Sequence, residues 1–89
     1  MPTYSEVFGY KIYFWSNENN EPIHVHIVKG KPSPSATKVW LTEEGGVVCI
    51  NSSKLPIKDL SKVLAYIKAN HKGIVALWKS YLGYETYYC

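Results

Sequence analysis

Cysteine is scarce in this chain: there are two, Cys49 and Cys89. Two cysteines make neither a disulfide framework nor a zinc-ligand spacing, which excludes a disulfide-stapled secreted scaffold and points to reduced thiols in the cytoplasm. No apolar run approaches the length of a membrane span. The opening stretch Met1-Pro2-Thr3-Tyr4-Ser5-Glu6 has no basic region followed by an apolar one, so no secretory signal is expected there. Internal repeats and low-complexity segments are also lacking. Carboxylates are sparse, and no two are placed by local spacing for two-carboxylate chemistry. Gly30-Lys31-Pro32-Ser33 lacks the spacing of a phosphate-binding loop.

What remains is small, apolar and aromatic. The 89 residues suffice for one domain, spanning residues 1–89, and hydrophobic residues make up 46%, which excludes a disordered chain. Eight tyrosines and three tryptophans exceed what a small core needs, so some rings are expected at a surface or interface. A core of this size is marginal, and oligomerisation or a small protein partner is the corresponding expectation. The net charge of +3 is compatible with nucleic acid without requiring it.

Strand-forming residues alternate early in the chain. Tyr10 to Trp15, Ile23 to Lys29, Ala36 to Thr42 and Val47 to Asn51 read as four strands, separated by polar, proline-rich or Glu-Glu-Gly-Gly segments. Their order suggests an antiparallel meander. The period then changes. Leu60, Val63, Leu64 and Ile67 follow helical spacing, with Pro56 upstream and Asp59 favourable to the helix dipole. Asn70-His71-Lys72-Gly73 reads as a helix end. A second helical run carries Ile74, Leu77, Trp78 and Tyr81 and stops near Gly83. The predicted fold is α+β: a four-stranded, mainly antiparallel sheet followed by two C-terminal helices packed on one face. The aromatic tail Tyr84 to Cys89 is expected to add an edge strand or pack on a partner.

Alternation sorts the sheet into two faces. Ile12, Phe14, Ile23, Val25, Ile27, Val39, Leu41, Val48 and Ile50 form the expected core. Lys11, Tyr13, Trp15, His24, His26, Lys38 and Trp40 form the opposite face. Tyr13, Trp15, Lys38 and Trp40 are therefore the candidate binding residues. Rings that stack on bases beside cations that meet phosphates suit single-stranded RNA. The same rings suit a protein interface equally well.

The centre of that face is the pair His24 and His26, on either side of Val25 in the strand. Two histidines that titrate near neutrality suit acid–base cleavage of RNA without metal, with Lys29 or Lys38 stabilising the phosphate. Metal ligation needs a third donor, and His71, Cys49, Glu43 and Glu21 have no motif spacing, so no metal or other cofactor is expected. The structural alternative makes the pair packing or interface residues.

The run Tyr10-Lys11-Ile12-Tyr13-Phe14-Trp15-Ser16-Asn17-Glu18-Asn19-Asn20-Glu21-Pro22-Ile23-His24-Val25-His26 resembles the bacterial domain-of-unknown-function 4160 family. The likeness continues through Lys29-Gly30, Ala36-Thr37-Lys38-Val39-Trp40, Ser53-Lys54-Leu55-Pro56 and Trp78. Many members carry Asp-His-x-Pro-Pro before the histidine pair. Here Asn19-Asn20-Glu21-Pro22-Ile23 stands in its place, without that histidine. The resemblance implies a small bacterial cytoplasmic protein with no established activity, partnering another small domain, with a toxin–antitoxin role suggested. The combined expectation is a binding module whose working face surrounds His24 and His26. The alternatives are a metal-independent ribonuclease using that pair, and a homo-oligomeric interaction domain.

Overall fold

The computed structural model describes residues 3–15, 21–31, 36–51, 54–83 and 87. Five strands precede two helices: β1 (Thr3–Val7), β2 (Tyr10–Tyr13), β3 (His24–Val28), β4 (Thr37–Leu41), β5 (Val47–Ile50), α1 (Ile57–Ala69) and α2 (His71–Leu82). The strands form one antiparallel sheet in sequence order, with β3 at its centre.

The sheet has five strands rather than the four expected. β1 joins β2 through Phe8 and Gly9, both at positive φ (54° and 81°), with Val7 paired to Tyr10. That is the type I′ geometry that matches strand twist. The signal was hidden because Phe8 stands where asparagine or aspartate usually does.

The apolar periodicity builds the core as expected through β4. Ile12, Phe14, Ile23, Val25, Ile27, Val39 and Leu41 are fully buried, together with Val63 and Ile67 of α1 and Ile74 and Trp78 of α2. Each such aliphatic side chain contributes about 1.5–3 kcal/mol by leaving water.

β5 departs from expectation. Alternation predicts Val48 and Ile50 in the core, but they are 38% and 52% exposed, whereas Val47 and Cys49 pack against it. The reason lies in the hairpin. Thr42 N–H donates to the Gly46 carbonyl at 3.0 Å, so the loop holds three residues, Glu43-Glu44-Gly45, with Gly45 at φ 90°. Val39 then pairs with Cys49, and Leu41 with Val47. A loop one residue shorter would have turned Val48 and Ile50 inward.

The helices also differ from expectation in one place. Only Asn70 separates them, and Gly73 lies inside α2 instead of ending α1. A Cβ on Gly73 would lie 2.6 Å from the Tyr4 hydroxyl, so this glycine admits a close approach rather than a cap. Gly83, at φ 77°, does cap α2.

Cross-links between distant segments fix the layers. Tyr10 donates to Asp59 at 2.7 Å, Tyr4 to Asn70 at 3.0 Å, and Tyr66 to Ser5 Oγ at 3.0 Å. Asn51 holds the turn into α1. It accepts from the Thr37 hydroxyl and the Leu55 N–H, and donates to the Leu55 carbonyl. Apart from Tyr87, the tail lies outside the described residues, as do residues 16–20.

Candidate functional site

β3 places His24 and His26 on the face away from Val25, as its period of two requires. Pairing supplies their neighbours. Tyr13 of β2 and Lys38 of β4 flank His26, while Trp40 lies across from His24. β5 continues both rows, with Ile50 beside Lys38 and Val48 beside Trp40.

The rings form one unbroken chain. Trp15 meets Tyr13 edge-on at 5.6 Å, Tyr13 meets His26 at 5.3 Å, His26 meets His24 at 5.0 Å, and His24 meets Trp40 at 4.8 Å. Lys38 Nζ sits 4.2 Å from the centre of the Trp40 ring and 3.5 Å from Glu21 Oε1. The cation therefore has both an aromatic face and a carboxylate as neighbours.

All six residues nominated from the sequence come together here, but their exposure is uneven. His24 and Tyr13 are fully buried even though they lie on the face opposite the main core. Trp15, His26, Lys38 and Trp40 are half-buried. The burial of His24 has a visible cause. Trp78 of α2 packs 5.2 Å from its ring and 5.1 Å from Phe14, so one indole bridges the two sides of the sheet at this end. No spacing within the sequence announces this contact, because it joins a strand to a helix 54 positions later.

His24 is also held in orientation. Its Nδ1 lies 2.9 Å from the Pro22 carbonyl, which can only accept, so Nδ1–H is the donor. In the neutral ring the proton-free nitrogen is then Nε2, which is itself fully buried. His26 is the member of the pair that solvent reaches.

The remaining metal-donor candidates are scattered. His71 starts α2, donating to the Thr42 carbonyl at 2.8 Å and stacking on Tyr87. Cys49 faces the core, where burial raises its thiol pKa, and Glu43 is exposed in the hairpin. Glu21 alone reaches the aromatic row, through Lys38. Among the described residues no three His, Cys, Asp or Glu side chains are grouped to hold a metal ion. Nor is any described helix long and apolar enough to cross a membrane. Two open concavities, of about 350 and 380 Å³, lie along α2 and at the α1–α2 junction, and the histidine pair lines neither.

No curated protein and no solved structure matches this chain. The family model described as "Domain of unknown function (DUF4160)" matches residues 9–79, from the first hairpin to the last turns of α2, and so takes in the whole aromatic row and Trp78. The chain belongs to the DUF4160 family.

Proposed function

We propose that this chain is a small protein-binding module, and that the sheet face around His26 is where its partner docks. The observation that carries the reading is the environment of Trp40. His24 and Lys38 already lie against its ring, and Lys38 also meets Glu21. A platform for stacked bases needs open ring faces and uncommitted cations. A protein contact needs half-buried aromatics ringed by paired polar groups, and Trp15, His26, Lys38 and Trp40 fit that description.

The burial of His24 weighs the same way. Acid–base cleavage by a histidine pair requires both imidazoles to reach the phosphate, and His24 has no exposed surface. In this reading His24 supports the face from beneath and His26 forms part of it. A two-component pair of the toxin–antitoxin kind is a setting in which such a module would work.

The test is affinity purification from the cells that make the protein, comparing the native chain with Trp40→Ala and Lys38→Glu. One stoichiometric protein partner, lost in both variants, is expected. In parallel, the pure chain is incubated with a mixed RNA pool with and without chelator, and titrated with short single-stranded RNA at two salt concentrations. Cleavage lost in His26→Ala, or binding that weakens as salt rises, would overturn the protein-binding reading in favour of RNA.

A further inference from the structure

The two edges of the sheet are built differently. β1 is blunted: its pairing is interrupted between Thr3 and Ser5, it carries Glu6, and Tyr4 and Ser5 are tied to the helices. β5 has none of these protections. Its residues, Val47-Val48-Cys49-Ile50, include no charge, proline or bulge, and no described strand lies beyond it. An unprotected edge of this kind is a template for another strand.

The hydrogen-bond phase says which groups it offers. Thr42 N–H donates to the Gly46 carbonyl, so by antiparallel alternation the main-chain groups of Val48 and Ile50 also turn toward β4. The N–H and C=O groups of Val47 and Cys49 therefore point outward.

We infer that β5 pairs antiparallel with β5 of a second copy of this chain, making one continuous ten-stranded sheet. The self-complementarity of the edge selects this occupant. With the two-fold axis at Val48, Val47 exchanges both bonds with the partner's Cys49, and Cys49 with the partner's Val47. All four outward groups are then satisfied. The two Val48 side chains meet at the axis. Ile50, 52% exposed in the single chain, lies opposite the partner's Gly46, which has no side chain to obstruct it. The flanks also match in charge. Exposed Glu43 and Glu44 precede β5 and exposed Lys54 follows it, so antiparallel pairing sets the acidic end of each copy beside the lysine end of the other.

Light scattering over a concentration series tests this directly. The native chain should pass from monomer to dimer as concentration rises. Cys49→Pro removes an outward N–H without touching the β4 ladder, and Val48→Lys sets two cations face to face at the axis. Both should stay monomeric, with circular dichroism confirming that they remain folded. In a Cys49→Ser/Cys89→Ser background, Val48→Cys should form a disulfide dimer under mild oxidation, and Thr3→Cys on the opposite edge should not. A native chain that is monomeric at every concentration overturns the inference. So does a dimer that survives in folded Cys49→Pro and Val48→Lys, or equal cross-linking from both edges.

Discussion

The Tyr10 hydroxyl donates to Asp59 Oδ2 at 2.7 Å, joining the start of β2 to the first turn of α1 across 49 residues. Tyr10 is 3% exposed and Asp59 half-buried, so the bond is partly screened from water.

Tyr10→Phe should destabilise the chain by about 1.5–3 kcal/mol, the range for a hydrogen bond to a charged group. The bond to Asp59 is the main reason the Tyr10 pKa is raised, followed by burial and the charge of Asp59. Because the folded-state pKa lies above the unfolded one, the stabilisation is complete below the ordinary tyrosine value of 10.0 and is lost as pH climbs through the folded value. Urea titrations of Tyr10→Phe and the native chain should therefore converge at strongly alkaline pH. A gap that stays constant there would detach the shift from stability.

The two histidines should part company on truncation. Surface geometry alone predicts that neither His24→Ala nor His26→Ala disturbs the fold. With His24 fully buried among His26, Trp40 and Trp78, its removal leaves a cavity and should cost about 2–4 kcal/mol. His26→Ala, at a half-buried position, should cost about 1 kcal/mol. Equal losses in chemical denaturation would contradict the asymmetry.

That asymmetry marks the boundary of what local pattern carries. Period-two alternation is a property of one strand, so the side on which His24, His26, Lys38 and Trp40 lie could be read from their positions. Their association follows from neighbouring strands pairing in sequence order. Burial of His24 depends on Trp78, which reaches it only after two helices have folded back over the sheet. The register of β5 depends on whether one glycine belongs to the loop or to the strand, and both choices keep alternation intact. Gly73 illustrates the same limit: a glycine after Asn70 resembles a helix end until the Tyr4 hydroxyl is seen to occupy its space.

The close approach of Gly73 and Tyr4 sets a sign that reverses with background. Alanine normally stabilises a helix interior over glycine by about 1 kcal/mol. Here the added Cβ would meet the Tyr4 hydroxyl at 2.6 Å, displacing a side chain that donates to Asn70. Gly73→Ala should destabilise the native chain. In a Tyr4→Phe background the next atom is 3.4 Å away, and the same change should be neutral or stabilising. A double-mutant cycle by thermal denaturation measures the difference, and a coupling of zero would remove the steric account.

The order of strands has a consequence for how the fold assembles in time. Each strand pairs with its neighbour in sequence, so the whole sheet can zip through local closures. The contacts from β1 to the helices, Tyr4 to Asn70 and Tyr66 to Ser5, span 66 and 61 residues, and the entropy of closing such long loops predicts that they form after the rate-limiting step. Weakening such late contacts lets the native state open sooner without delaying its formation. In stopped-flow measurements Tyr66→Phe should speed unfolding and leave the folding limb in place; a slowed folding limb would put the β1 clasp inside the nucleus. With the unfolding limb alone affected, the strand that the sequence concealed best is a latch on the native state's lifetime.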